Sequence, residues 1–239
     1  MFGAKSYLYD TLVTRNSYTA IAEGYTSWRN KPWPIALISR PGIILDLGSG
    51  ACINGVEAAK KTQSYVVCLD YSPSMTRLAK KIAERKNVPA DQIVADMSLL
   101  PLRENSFNTI LAIASLHHIP PTLTGFLARQ LNAVLKRGGL LIATVWSWRQ
   151  TQFVLQTLIN MIRTCLGQTG YPRRYSVKWK TRKRTYTRIY YLYTLEELVH
   201  LLRDAGFKPI SMGYYSPFKQ KSQNIYIVVT KARVTEVAP

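Results

Sequence analysis

The chain has 239 residues, 47% of them hydrophobic, enough to bury a core and too apolar for a disordered chain. Lysine and arginine number 32 against 13 acidic residues, a net charge of +19, and a field of that sign draws in polyanions, nucleic acid first and an anionic membrane surface second. No apolar run approaches the roughly 20 residues that span a bilayer, no secretory h-region is visible near the N-terminus, and Cys52, Cys68 and Cys165 are spaced for neither a disulfide framework nor a metal site. They read as small buried hydrophobes in a reducing, cytoplasmic setting.

In chain order, residues 1–41 form an aromatic, basic lead segment. Pro32 and Pro34 forbid a regular helix there and set a stiff extended turn; residues 35–39 read as a short helix. From Ile43 onward, apolar runs alternate with amphipathic stretches. Residues 43–47, 65–69, 92–95, 107–114 and 140–145 read as strands. Helical spacing marks residues 54–61, the stretch after the Ser72-Pro73 cap and the stretch from Leu123 to Leu135. This βαβ rhythm predicts an α/β fold, a doubly wound and mostly parallel sheet with helices on both faces. Residues 147–193 break the rhythm as a basic insertion within a single domain. It contains an apolar helix over 152–166 and a run of interleaved cations and aromatics over 171–188. Thr194 and Glu197 have the spacing of a capping box, and two closing strands, about 208–215 and 225–230, predict a C-terminal antiparallel hairpin.

The first strand ends in Asp46-Leu47-Gly48-Ser49-Gly50, and Asp70 ends the second strand about 20 residues on. A glycine turn followed at that distance by an acid is a nucleoside-binding arrangement. Cys52 stands where a pyrophosphate-binding turn wants its third glycine, and Asp46 would repel a pyrophosphate but suits an ammonium group. The ligand expected is therefore S-adenosylmethionine. The turn resembles the motif of class I methyltransferases, an acid and then Gly-x-Gly after the first strand. That resemblance implies that Gly48, Ser49 and Gly50 cradle the cofactor and that Asp70, followed by Tyr71, takes both ribose hydroxyls. Asp96, followed by Met97, would accept from the adenine amine, and Ala114 would flank the donor. His117 and His118 follow strand four, where ligands of open parallel sheets lie, and histidine is the usual base near neutral pH.

Several segments together resemble the tRNA wobble-uridine carboxymethyl methyltransferases. They are Ser27-Trp28-Arg29-Asn30-Lys31-Pro32-Trp33-Pro34, Ile113 to His118, Val145-Trp146, Val177-Lys178-Trp179-Lys180, Arg188 to Tyr193, and Asn224-Ile225-Tyr226. The family transfers a methyl group to a carboxymethyl group on uridine 34. Such a carboxylate is ionised at neutral pH and needs no base, but a cation must hold it; Arg29 is the first candidate and Arg188 the second. Lys31, Arg173, Arg174, Lys178, Lys180, Arg182, Lys183 and Arg184 would track tRNA phosphates, with Trp33, Trp146 and Trp179 against splayed bases. The resemblance also implies a small zinc-binding activator subunit covering apolar sheet-edge surface, and no membrane is expected as a partner. A small-molecule C- or O-methyltransferase acting on a quinone or lipid precursor is the competing reading. A non-enzymatic RNA-binding protein on the same scaffold is the third.

Overall fold

The computed structural model describes residues 4–167, 171, 173–180, 184–217 and 224–231. Arg182 and Lys183 lie outside the described residues. The central sheet has seven strands in the order β3-β2-β1-β4-β5-β9-β8. These are β1 (Ile43–Leu47), β2 (Tyr65–Asp70), β3 (Ala90–Val94), β4 (Phe107–Ile113), β5 (Leu135–Trp146), β8 (Phe207–Tyr215) and β9 (Asn224–Lys231). Strands β1 to β5 pair in parallel, while β9 runs antiparallel to both β5 and β8, as the closing hairpin requires. The strand order reverses between β1 and β4, and the crevice at such a switch point opens beyond the carboxyl ends of the strands.

Helices α2 (Ile53–Thr62), α3 (Pro73–Lys86), α4 (Pro121–Val134) and α6 (Leu195–Asp204) flank the sheet. One apolar layer packs Leu45, Leu47, Leu141 and Val145 under Leu127, Leu131, Leu198 and Leu202. The other packs Ile44, Val66, Leu111 and Ile142 under Val56, Ala59, Ala79 and Ile82. The helix starts follow from local chemistry: Ser72 Oγ accepts from the Met75 N–H, and Thr194 and Glu197 form the reciprocal capping box.

Three features depart from the sequence expectations. First, the lead segment opens with a 25-residue helix, α1 (Ala4–Trp28), not expected from the sequence pattern, whereas the short helix expected over 35–39 is present as a 3-10 helix at Pro34–Ile38. Second, Cys52 and Cys68 are buried as expected but joined in a disulfide, with Cα atoms 5.8 Å apart, and Cys165 is exposed rather than buried. The reason is tertiary: parallel pairing sets Cys68 opposite Asp46, and the chain turns back from Asp46 through the glycines to bring Cys52 to the same place. Third, the run of interleaved cations and aromatics, for which no strands are expected, contains two of them. They form a separate two-stranded antiparallel ribbon, β6 (Arg174–Lys180) and β7 (Thr185–Tyr191), with α5 (Thr151–Cys165) preceding it.

Candidate active site

The cleft lies over the carboxyl ends of β1, β2 and β4, between α1 and the β6–β7 ribbon. It is lined by residues of the glycine turn, the ends of β2 and β4, α1 and the ribbon. Gly48, Ser49 and Gly50 form its floor, with Asp70, Tyr71, Asp96, Met97 and Ala114 around them. Gly48 has φ +62°, and a Cβ there would stand 2.6 Å from Ser115 Cβ, so glycine is required on both conformational and steric grounds. Cys52, at φ +56°, adopts the left-handed conformation that the missing third glycine would take without strain. Ala114 is left-handed too, φ +54°, and its N–H donates to the carbonyl and hydroxyl oxygens of Thr144 at 3.0 and 2.9 Å.

The carboxylates divide into two kinds. Asp70 accepts the Gly50 N–H on Oδ2 at 2.7 Å and the Ser72 N–H on Oδ1 at 2.8 Å. Each oxygen keeps acceptor capacity for a ligand in the cleft. Asp96 accepts the Ser98 N–H on Oδ1 at 2.8 Å and the Tyr7 hydroxyl on both oxygens, at 3.0 and 3.1 Å. Asp46, expected to face an ammonium group, does not line the cleft. It is 2% exposed and accepts the Gly55 N–H at 2.8 Å, and burial pushes its carboxyl up to about 7. Its role here is to anchor the first turn of α2, where Gly55 admits it: a Cβ on Gly55 would lie 2.8 Å from Asp46 Cβ.

The far wall is built by α1, β7 and the loop after β4. Along β7, Arg188 and Tyr190 point into the cleft, while Ile189 and Tyr191 pack into the core on the other face. Arg188 is 6% exposed, and its guanidinium lies 5.7, 5.1 and 5.3 Å from the ring centroids of Tyr18, Trp179 and Tyr190. Its Nε makes no hydrogen bond, and no carboxylate pairs with it among the described residues. Arg29 also lines the cleft, lying over the Trp33 ring at 5.1 Å. His117 and His118 both line it as well. His118 Nδ1 is 3.1 Å from the Ile189 carbonyl, which can only accept, so Nδ1 carries the proton and Nε2 accepts from the Tyr18 hydroxyl at 3.2 Å. Burial holds the His118 imidazole down to about 4, and burial together with His118 lowers His117 well below its ordinary value. Both rings are therefore neutral near pH 7.

Of the residues expected to meet RNA, Lys31, Trp146 and Trp179 line the cleft. Lys178, Lys180 and Arg184 are exposed, the first two on the outward face of β6. Three others are engaged within the protein. Trp33 is 3% exposed and packs against Tyr215. Arg173 pairs with Glu197, and Arg174 donates to buried Asp10 at 2.8 Å through Nε. Their acids lie far away in sequence, so the run's lack of local acids did not reveal these pairs. The sequence reading also missed the α1 wall. Tyr7, Thr11, Thr14, Tyr18 and Tyr25 all line the cleft, and their spacing is helical, but the stripe is polar and aromatic rather than aliphatic.

The comparisons place this geometry. The model of a family described as "Methyltransferase domain" matches residues 44–139, the stretch holding the glycine floor, Asp70, Asp96 and both histidines. Residues 44–139 thus carry a methyltransferase domain, and the chain is an S-adenosylmethionine-dependent methyltransferase. This methyltransferase is 27% identical over 180 residues to an Encephalitozoon cuniculi protein named as a methyltransferase, covering 73% of this chain and 74% of that one. It is 29% identical over 139 residues to the tRNA (carboxymethyluridine(34)-5-O)-methyltransferase of Saccharomyces cerevisiae, 56% of this chain and only 47% of the yeast enzyme. Among solved structures, a Methanosarcina mazei methyltransferase superposes with a TM-score of 0.69 at 22% identity, over 84% of this chain and 99% of that one. The Haloferax volcanii complex of a methyltransferase with the Trm112 methyltransferase activator gives 0.65 at 13% identity, over 92% and 98%.

S-adenosylmethionine is the cofactor of this methyltransferase, and the residues fit it. Asp70 and Asp96 present unsaturated carboxylates at the ends of β2 and β3, the floor is free of side chains at Gly48 and Gly50, and His117 Nδ1 and Arg188 Nε are buried polar atoms without protein partners. Such orphans occur where a ligand completes the site.

Proposed function

We propose that this methyltransferase esterifies a carboxylate carried by tRNA, the carboxymethyl group of wobble uridine 34. The observation that carries the reading is Arg188: a buried, permanently charged guanidinium aimed into the cleft with no carboxylate of its own. A cation in that position is costly unless a ligand anion completes it.

When bound, S-adenosylmethionine supplies an electrophilic methyl group on a sulfonium. Asp70 and Asp96 fix its nucleoside end, and the glycine floor lets the backbone approach it. Arg188, with Arg29 at the cleft mouth, holds the acceptor carboxylate so that one oxygen faces the methyl carbon. Methyl transfer would form a carbon–oxygen bond on the acceptor and break the sulfur–carbon bond of the donor. The two reacting charges cancel, a step favoured where aromatic walls keep water out. The acceptor carries no proton, so no base is required. Lys178, Lys180 and Arg184 lie outside the cleft, where they would meet tRNA phosphates. Among the described residues, the two edge strands of the sheet carry exposed apolar side chains against which an activator subunit like that of the Haloferax volcanii complex would pack: Val94 on β3, and Ile210 and Met212 on β8.

The test is mass spectrometry of nucleosides from tRNA lacking the methyl ester, after incubation with the enzyme and S-adenosylmethionine, with and without activator. Appearance of the ester is expected; carboxymethyluridine left unchanged with activator present would sink the reading. A small-molecule acceptor is the second reading. It is favoured by His117, whose neutral ring lines the cleft and could take a proton from a hydroxyl or carbon acid.

A further inference from the structure

Helix α5 is turned inside out relative to an ordinary surface helix. Its inward positions are Phe153, Thr157 and Asn160, which are 7%, 0% and 8% exposed. Two of the three are polar. Thr157 donates to the Phe153 carbonyl at 2.7 Å and shares a hydrogen bond with the Tyr175 hydroxyl. The aliphatic side chains point away from the protein. Leu155, Leu158, Ile159, Ile162 and Leu166 are 70%, 51%, 42%, 62% and 66% exposed, and their spacing forms one stripe along the helix. A contiguous exposed patch of this kind marks an interaction site.

Charge narrows the occupant. No acidic residue occurs between Glu104 and Glu196. Exposed Arg163 lies beside the stripe, and Arg149, also exposed, precedes the helix with its guanidinium 5.2 Å over the Tyr214 ring. An aliphatic stripe with Arg163 beside it, on a helix without an acidic residue, has the composition of a helix that lies in the plane of a lipid interface. RNA gains little from such a stripe, which offers no ring to stack and no cation. A second copy of the chain would set +19 against +19. The helix is 15 residues long, and no described helix is long and apolar enough to cross a membrane, so insertion would be shallow.

We propose that α5 docks this methyltransferase on the surface of an anionic bilayer, the aliphatic stripe entering the acyl boundary, with Arg163 and the +19 charge of the chain drawn to lipid phosphates. The contact would lie directly behind the acceptor wall. Phe153 touches Trp146 and Tyr175, with ring centroids 6.0 and 4.9 Å apart, and Trp146 lines the cleft. The inference stands whether the acceptor is tRNA or a small molecule.

The experiment is flotation of the full chain with phosphatidylcholine vesicles, with and without roughly one-third phosphatidylserine, at about 0.1 and about 0.5 M salt. Binding to the anionic vesicles that weakens with salt is expected. The double variant Leu158→Ser with Ile162→Ser, both positions solvent-facing, should lose about tenfold or more of that binding while binding S-adenosylhomocysteine as the parent does. Absence of vesicle binding by the parent chain would overturn the proposal. So would equal binding by the variant, which would mean that charge alone attaches the protein. A dimer in sedimentation velocity that the double substitution converts to monomer would give the stripe to a second copy and also overturn it.

Discussion

Tyr18 and His118 meet across the cleft, the Tyr18 hydroxyl 3.2 Å from Nε2 of the imidazole. Because Nδ1 already donates to Ile189, the ring accepts this bond only while neutral, so the contact ties α1 to the loop after β4 through an unprotonated histidine. The folded pKa is lowered from 6.5 to about 4, chiefly by burial. A depressed pKa contributes stability that is present above 6.5 and is lost as pH falls toward 4. The parent's stability advantage over His118→Gln should therefore shrink across that window. Raised carboxyls such as Asp46 have the opposite pH dependence, but they are common to both proteins and cancel in the difference. Urea unfolding of both proteins at several pH values checks this; a constant difference would contradict it.

Arg188 separates function from stability. Replacing an unpaired buried cation with a hydrophobe of similar length should leave the fold as stable or more so, by up to about 1–4 kcal/mol, or about 2–4 °C per kcal/mol in a chain of this size. Arg188→Met should thus melt no lower than the parent. Its turnover of a carboxylate acceptor should fall about 100-fold or more, with S-adenosylhomocysteine affinity held within a few-fold. Arg188→Lys keeps the charge but loses the planar fork, so activity should fall in between. Melting curves, calorimetry and initial rates decide the matter.

Asp70 is the residue on which cofactor affinity should depend most. A hydrogen bond to a charged group contributes about 1.5–3 kcal/mol, so Asp70→Ala should weaken S-adenosylhomocysteine about tenfold to 100-fold by calorimetry. Some loss of melting temperature should accompany it, because the Gly50 and Ser72 N–H groups lose their acceptor.

Arg174 and the two lysines of β6 should behave oppositely. Removing Arg174 leaves the buried Asp10 carboxylate without its cation, a loss of about 3–5 kcal/mol, so Arg174→Met should lower the melting point markedly. Lys178→Ala with Lys180→Ala should leave it unchanged but reduce the slope of log affinity for tRNA against log salt by about 1.5. An unchanged slope would remove both lysines from the RNA contact.

The Cys52–Cys68 disulfide closes a loop with a sequence separation of 16, which predicts a loss of about 3 kcal/mol on reduction. Denatured but unreduced protein should react with one equivalent of thiol reagent, at Cys165; three equivalents would mean that the bond is absent.

The sequence by itself determined the parallel core and the cofactor. Both rest on signals a few residues long: apolar runs without alternation, the Gly48–Gly50 turn after a strand, and acids ending the next strands at Asp70 and Asp96. Such patterns are informative because each is local, and parallel pairing of β1, β2 and β3 sets their carboxyl ends side by side. Asp46 is the exception. Its position in the motif is correct, but its side chain turns to the Gly55 N–H because helix α2 closes over it. The tertiary structure alone decided the acceptor wall. Arg188 and Arg174 belong to one basic run and differ only in what folds against them, aromatic rings around the first and Asp10 from the other end of the chain beside the second. The same holds for Cys52 and Cys68, and for α1, whose polar stripe makes sense as a buried face only once the β6–β7 ribbon is opposite it. Contacts between such distant residues set which charges are neutralised and which remain for a ligand, and no local pattern in the sequence carries that information.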